Sequence, residues 1–457
     1  MLARAVAGAF PPSRVFFELG PENYSPRLLR KIVFAGGQFA SFALAVAGLR
    51  ELGDHEVSAR HAETLPLRIG RQRAAERDDQ ARRWEAHETI PPAVADVPEA
   101  VAVSGDDGKM QTRAAGEAPG VHAPAWRSHR VACLQRVDSK VSARDPQPQP
   151  PPAFTTRATV EKLVRELAHS HAAAAPAPAA DAPSAPAPAP SRTAPLPLGT
   201  PAQRRPSAAA RQKPHRPARP PATGAAISPP PGFQVYARTC VATLTGSDRF
   251  GAMVAAHAQE RGFLLARRCV FLGDGAPGNW TLQQLYFPAP EWLPLLDFIH
   301  LIEHLWAAAR AARPKTPWPF YRELLGDAWN GRPQAIRRRL RHAARALGPP
   351  ARDASDSDLG RLLRSQSAYL EANQERMDYP QARRLGLPCT TSHVESRIGV
   401  FNSRVKSSRH FWCAPTGEDI LQVRAAGAAT IDQWRGFYQR RAQRSAGRAY
   451  ACARAAA

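Results

Sequence analysis

The chain has 457 residues, and its 62 Lys and Arg outnumber its 39 Asp and Glu, which gives a formal net charge of +23. This length suffices for about two or three domains, and the charge favours a polyanionic partner such as nucleic acid, although basic tails produce the same imbalance. No apolar run approaches the roughly 20 residues that a membrane span needs, and none of the six cysteines forms a C-x-x-C pair. We therefore expect a cytoplasmic protein with reduced thiols, and not a membrane protein, a zinc knuckle or a disulfide framework.

The first part of the chain, residues 1–95, is predicted to be a helical N-terminal region. A helix is expected to begin at Ser25-Pro26, where an N-cap precedes a proline in the first turn, and to end at Gly53. The stretch GRQRAAERDDQARRWEAHE, residues 70–88, interleaves both charge signs as solvated helices do. The helices before Gly53 are a candidate helix-turn-helix, although a helical pair that packs only for dimerisation has the same pattern.

An α/β pattern begins after this region, and residues 96–171 are predicted to form the first part of an α/β domain. VPEAVAV, residues 97–103, is predicted to be a strand that leads into a turn at Asp106-Asp107-Gly108. A second strand is expected at 129–137 and a helix at 157–170.

Residues 172–231 are rich in Ala, Pro and Arg, a composition that cannot bury a core, and they are predicted to be a disordered insertion or linker. The α/β pattern returns in residues 232–300, with a helix at 246–263 and strands in RRCVFLGDGA, from Arg267, and at Leu293 to Leu296. Strands on both sides of the Pro/Ala-rich segment favour one interrupted α/β domain over two separate domains.

The rest of the chain is predicted to be mostly helical. Residues 301–385 are expected to form a block of helices, residues 386–440 a last pair of helices, and residues 441–457 a disordered tail.

Three acids carry the chemistry that the sequence offers. Asp106 and Asp274 each follow an apolar strand and precede a glycine-containing turn, and Glu395 lies near the start of a predicted helix. The carboxyl ends of neighbouring strands in a mostly parallel sheet are where ligands are held. Carboxylates brought together repel unless a cation lies between them, and such hard oxygen ligands select Mg²⁺ or Mn²⁺. Each aspartate alone is also consistent with an ordinary Asp-Gly surface turn, and spacing does not link Glu395 to either.

Two long segments resemble one family of enzymes. The stretch GDGAPGNWTLQQLYFP…LLDFIHLIEHLW resembles the region around the second catalytic aspartate of bacterial insertion-sequence transposases of the ISKra type, relatives of the mutator-like DDE enzymes. YLEANQERMDYPQARRLGLPCTTSHVESRIGVFNSRVKSSRHFW is similar to the segment with the catalytic glutamate. The resemblance covers most of residues 20–435 apart from the Pro/Ala-rich segment, and it includes the stretches around Asp106 and at 235–263.

The resemblance implies an RNase H-like catalytic domain with an all-helical insertion before the glutamate. Asp274 then matches the second catalytic aspartate, Glu395 the glutamate and Asp106 the first aspartate, together holding two Mg²⁺ or Mn²⁺ ions. Where the family has Gly-Gly after the first aspartate, this chain has Asp107-Gly108, so Asp107 is an alternative ligand.

Supporting residues follow from the same resemblance. Asp297 and His300 match the family's D-x-x-H motif, which places them beside the carboxylates. The partner it implies is double-stranded DNA, both transposon ends and target, held by a homodimer or larger assembly. Four basic residues after the glutamate are candidate phosphate contacts: Arg397, Arg404, Lys406 and Arg409.

Several other side chains have two interpretations. His304 is interpreted as a packed or hydrogen-bonded histidine rather than a zinc ligand. Trp280 and Trp412 are interpreted as core aromatics, with base stacking as the alternative. The arginine-rich stretch AIRRRLRHAARAL, residues 335–347, fits either DNA backbone binding or a solvated helix face.

The function expected from these features is that of a DDE transposase, which hydrolyses phosphodiesters at transposon ends and transfers the 3′-hydroxyl into target DNA. It would act in the bacterial cytoplasm, on the nucleoid. A catalytically decayed, transposase-derived DNA-binding protein is the alternative, and a nuclease without strand transfer is a third interpretation.

Overall fold

A computed structural model describes residues 24–89, 92, 97–114, 125–172, 234–348, 358–391, 405, 411–430 and 434–444. The described residues form a mixed α/β structure. Its strands are β1 Ala100–Arg113, β2 Ala125–Asp138, β3 Gln234–Thr243, β4 Arg268–Gly273, β5 Trp292–Leu296 and β6 Trp412–Cys413. The first helices are α1 Pro26–Gln38, α2 Phe42–Gly53, α3 Ala59–Glu85, α4 Pro152–Thr155, α5 Arg157–Ala172, α6 Ser247–Glu260 and α7 Pro277–Tyr286. The later helices are α8 Phe298–Ala312, α9 Pro317–Trp329, α10 Pro333–Leu347, α11 Leu359–Ala372, α12 Tyr379–Arg384, α13 Ala414–Ala428 and α14 at 434–444.

The predicted N-terminal helix is two helices. The Ser25 hydroxyl accepts a hydrogen bond from the Leu28 amide, as predicted for an N-cap. Phe39 then takes an extended conformation that ends α1, and Ser41 caps α2, which ends at Gly53 as expected. Both helices pack in one apolar cluster with the C-terminal helices, so the two ends of the chain stabilise each other.

The partly buried Glu418 carboxylate links these terminal helices to the sheet. One oxygen of Glu418, in α13, accepts from Arg77 Nη1 of α3 at 2.5 Å, and the other accepts from the Leu244 amide after β3 at 2.6 Å. The Arg77 side chain is 4% exposed and also donates to the Ala242 carbonyl at 2.7 Å. The charged helix α3 is therefore partly buried, and is not only the solvated helix that its sequence predicts.

The main sheet has the strand order β3-β2-β1-β4-β5, and β6 pairs with the far end of β1. β2 is antiparallel to both β1 and β3, whereas β4 runs parallel to β1 and β5 parallel to β4. β4 and β5 confirm the predicted strands. β3 was not predicted as a strand.

The turn predicted at Asp106-Asp107-Gly108 is wrong. β1 continues through these residues to Arg113, in unbroken register with β2, and pairs Asp106 with Val131 and Asp107 with Arg130. The partner strand provides the pairing that the polar Gly-Asp-Asp-Gly sequence does not favour by itself. Asp106 therefore lies within a strand and not after one.

The helices α8 to α12 confirm the predicted helical character of residues 301–385 where the structure describes them, and their apolar faces share one core with the sheet. Phe298 shows this sharing, because its ring contacts Phe154, Trp329 and Tyr379 at centroid distances of 5.3, 4.8 and 4.7 Å. Arg383 of α12 closes the same region with a bidentate bond to Asp145 at 2.8 and 2.5 Å.

Candidate functional site

Two of the predicted acids lie at the same level of adjacent parallel strands. The β1–β4 register pairs Ala100 with Arg268 and Ser104 with Leu272. Continued for two more residues, this register sets Asp106 level with Asp274, which directly follows the last residue of β4. The structure thus brings Asp106 and Asp274 together, as the sequence predicted, although β1 itself continues.

Burial, and to a smaller extent the neighbouring Asp274 carboxylate, perturbs the ionisation of Asp106. Asp106 is half-buried, and burial raises the pKa of its carboxyl from 3.8 to about 7. His300 opposes this rise and the Asp274 carboxylate adds to it. A carboxyl group that is held against another in a partly dehydrated position favours a proton or a cation beside it.

Asp274 is fixed by hydrogen bonds to its side chain. Its Oδ1 accepts from the Ala276 amide at 2.9 Å and from Asn279 Nδ2 at 2.8 Å. Asn279 Nδ2 also lies 3.3 Å from the Gly105 carbonyl of β1, so it bridges the two strands that hold the acids. Asn279 was not predicted as a site residue. It could have been predicted from its place in the first turn of α7, shortly after Asp274.

Asp107 occupies a different position from Asp106. Its side chain is 56% exposed and lies 3.5 Å from the Arg130 guanidinium of β2. Successive residues of a strand direct their side chains to opposite faces, so Asp106 and Asp107 face different sides of the sheet. This geometry favours Asp106 over Asp107 as the partner of Asp274.

Asp297 and His300 form a buried dyad beside the acids. Asp297 follows β5 and caps α8, and its Oδ2 accepts from the His300 amide at 3.0 Å and from His300 Nδ1 at 2.7 Å. Its Oδ1 accepts from the Thr391 amide at 2.6 Å, and its own amide donates to the Gly273 carbonyl at 2.8 Å. Asp297 therefore orients His300 and also holds Thr391 close to the end of β4.

A tyrosine from the helical block contacts the main chain of Asp274. The Tyr369 hydroxyl, in α11, donates to the Asp274 carbonyl at 2.7 Å. Its ring stacks on His304 with centroids 3.5 Å apart, and His304 Nδ1 bonds to Gln366 Oε1 at 2.7 Å. This confirms that His304 is a packed, hydrogen-bonded histidine. Burial raises the pKa of Tyr369 well above its usual value, so the phenol remains a donor.

The two glycines that flank Asp274 serve packing. Gly275 has φ +96, and a Cβ on it would lie 2.4 Å from the Tyr369 hydroxyl, while a Cβ on Gly273 would meet Trp280 at 3.0 Å. Side chains of the protein therefore fill the space beside both glycines. Trp280 and Trp412 are both buried, 6% and 8% exposed, which confirms them as core aromatics.

The remaining predicted residues lie outside the described part of the chain: Glu395, Arg397, Arg404, Lys406 and Arg409. Within the residues that the structure describes, no group of three or more His, Cys, Asp and Glu side chains is placed to hold a metal ion. In the same residues, no helix is both long enough and apolar enough to cross a membrane.

Comparison with known proteins adds no relative: no family model, no curated protein and no solved structure matches this chain.

Proposed function

We propose that this protein is a DDE transposase whose Asp106, Asp274 and Glu395 hold two divalent metal ions. One observation carries the proposal: the parallel register of β1 and β4 sets Asp106 level with Asp274, close enough for the Asp274 charge to add to the rise that burial causes in the pKa of Asp106. Two aspartates on adjacent parallel strands are the arrangement that a two-metal phosphodiester chemistry needs.

The sheet supports an RNase H-like assignment. The order β3-β2-β1-β4-β5, with β2 antiparallel to the other four strands, is the order expected for an RNase H-like domain. The helices α8 to α12 lie between β5 and the segment with Glu395, where the resemblance expects an all-helical insertion.

The position of Thr391 supports the third ligand. Asp297 holds the Thr391 amide beside the end of β4, and Glu395 follows Thr391 by four residues. A four-residue extended segment spans at most about 14 Å, and this short separation along the chain supports Glu395 as the third ligand.

The donor set fits Mg²⁺ or Mn²⁺. Asp106 and Asp274 provide hard carboxylate oxygens, and their repulsion is relieved when a divalent cation lies between them. When bound, the metal pair would activate the attacking oxygen and stabilise the leaving oxygen of a phosphodiester. Asn279 fixes the Asp274 carboxylate, and Asp297 fixes the ring of His300 through Nδ1, at a position from which the histidine charge acts on Asp106.

The helix α10 supports DNA as the partner. Arg338, Arg341 and Arg345 are exposed and spaced three and four residues apart, so they lie on one face of α10. They differ from Arg337, which pairs with Glu371 at 2.5 Å, and from Arg339, which pairs with Glu323 and Asp327. The exposed arginines span about 10 Å along the helix axis, which matches about three phosphates of one DNA strand.

The test of catalysis is cleavage and joining of DNA that carries the sequences flanking the gene. With Mg²⁺ or Mn²⁺, wild type is expected to release 3′-hydroxyl ends and join them to a second duplex, whereas Asp274→Asn and Glu395→Gln do neither. These variants are expected to bind the DNA, because they remove a metal ligand and not a phosphate contact. Wild-type binding with no cleavage by either metal would instead indicate the decayed DNA-binding protein, and cleavage without joining a nuclease.

The salt dependence of DNA binding tests whether the exposed arginines of α10 contact DNA phosphates. Each phosphate contact contributes about 0.9 to the slope of log K against log salt. Replacing Arg338, Arg341 and Arg345 with Ala is expected to reduce that slope by about 2 to 3. The matched control replaces Arg82 and Arg83, which are 64% and 62% exposed on α3 and paired with Asp79. An equal loss in both variants would contradict a specific role for α10.

We further propose that the protein works on the nucleoid in the bacterial cytoplasm as a homodimer or larger assembly, because two transposon ends must be held together.

A further inference from the structure

The helical block reaches the carboxylate site through one side chain. Tyr369 lies one turn from the end of α11, and its hydroxyl donates to the main-chain carbonyl of Asp274 at 2.7 Å. The bond joins residues 95 positions apart, and it acts on the backbone of the aspartate and not on its carboxylate.

The tyrosine ring is itself held by a stacked histidine. It stacks on His304 of α8 at 3.5 Å with an interplanar angle of 18°, and His304 bonds to Gln366, which lies one turn before Tyr369 on α11. Two helices of the block therefore fix the position from which the hydroxyl reaches the turn after β4.

The turn is shaped to receive this hydroxyl. Gly275 has φ +96, a conformation that residues with a Cβ rarely adopt, and an added Cβ would lie 2.4 Å from the Tyr369 oxygen. The glycine thus allows the turn and also leaves the volume that Tyr369 fills.

We infer that Tyr369 is a positioning residue: by fixing the Asp274–Gly275 peptide, it sets the direction in which the Asp274 carboxylate points toward the metal ions. This inference rests on the proposed function. Asn279 restrains the carboxylate end of Asp274 and Tyr369 restrains its main-chain end, and the direction of the Cα–Cβ bond depends on the second restraint. Substituting a side chain that orients a metal ligand, without contacting the metal itself, typically weakens metal affinity by about 10-fold or more.

The experiment compares two tyrosines of the helical block whose hydroxyl groups each donate to a main-chain carbonyl, one at the site and one away from it. Tyr369→Phe removes the bond to Asp274 and keeps the ring on His304. The matched control is Tyr321→Phe, in α9 of the same helical block, because the Tyr321 hydroxyl is also buried and donates to a main-chain carbonyl, that of Phe154, at 3.2 Å. The full chain is titrated with Mn²⁺ without DNA, and free Mn²⁺ is measured by electron paramagnetic resonance. Hydrogen exchange of residues 273–279 is measured in parallel.

Tyr369→Phe is expected to raise the Mn²⁺ dissociation constant about 10-fold and to speed exchange in residues 273–279. Tyr321→Phe is expected to leave both unchanged, while both variants lower the thermal midpoint by a similar amount. Wild-type affinity in Tyr369→Phe, or an equal loss in both variants, would overturn the inference and leave the proposed function standing. If wild type binds no Mn²⁺, or Asp274→Asn binds it as wild type does, the proposed function fails and the inference with it.

Discussion

Asp106 is predicted to destabilise the metal-free protein at neutral pH. Its carboxyl has a pKa of about 7 in the fold against 3.8 in an ordinary setting, so the folded state binds more protons than the unfolded state between these values. The stability that this group contributes is therefore complete below pH ~4 and is lost as the pH rises through ~7. Each pKa unit corresponds to about 1.4 kcal/mol, which gives an upper limit of about 4 kcal/mol. Because the side chain is only half-buried, we expect about 2 kcal/mol after solvent screening.

The substitution that tests this is Asp106→Asn. Asparagine has the same shape, and its oxygen can still accept from the Asp107 amide, which lies 2.6 Å from Asp106 Oδ1. In urea unfolding with EDTA, the variant is expected to be more stable than wild type by about 2 kcal/mol at pH 8, and the difference should vanish near pH 4. Asp107→Asn is the comparison: burial also raises the pKa of the Asp107 carboxyl, but the side chain is 56% exposed, so we expect a gain of the same sign and of only about 0.5 kcal/mol or less.

The addition of Mg²⁺ should reverse the order of stability. A divalent ion that binds the folded state increases its free energy of unfolding, and the increase is larger the more tightly the ion binds. The variant has lost one ligand, so it should gain less than wild type. If Asp106→Asn is no more stable than wild type in EDTA at pH 8, or if its advantage does not depend on pH, the electrostatic account of the two aspartates is wrong.

Three other substitutions test the framework of the site. Gly275→Ala is expected to destabilise the protein by about 2 kcal/mol or more, because of its φ of +96 and the collision with Tyr369, and adding Tyr369→Ala should recover only the collision part in urea unfolding. Arg383→Met should cost about 3 kcal/mol in the same assay, since it leaves the Asp145 carboxylate without its bidentate partner. Glu418→Gln should cost about 2 kcal/mol and increase proteolysis of the N-terminal helices, because the buried Arg77 then keeps only the more exposed Asp78 as its counter-charge.

Local sequence signals correctly predicted the helices and strands whose formation depends mainly on their own residues. Ser25 and Gly53 were correctly placed at helix boundaries, and the apolar runs before Asp274 and Asp297 are the strands β4 and β5. The second half of β1 was missed because Gly-Asp-Asp-Gly has a low strand propensity, and only pairing with β2 makes it a strand.

The site was predictable to the extent that its residues follow strands. The convergence of Asp106 and Asp274 was expected from that pattern, and the structure brings the two together. Tyr369 could not be found in this way, since its contact with Asp274 depends on how the helical block packs onto the sheet. The same packing explains why position 275 is a glycine, since a Cβ there would lie 2.4 Å from the Tyr369 hydroxyl.

The two aspartates are held in opposite ways, and this asymmetry has a physical meaning. Asp274 is restrained by Asn279 at its carboxylate and by Tyr369 at its carbonyl, whereas burial and the charge of Asp274 act against ionisation of Asp106. A bound cation removes the repulsion that the fold imposes on Asp106. The free energy of cation binding is therefore more favourable at this pair than at two well-solvated carboxylates. The stability that the metal-free protein loses at this site is thus available to strengthen metal binding, which is why the stability measurement on Asp106→Asn also bears on the proposed activity.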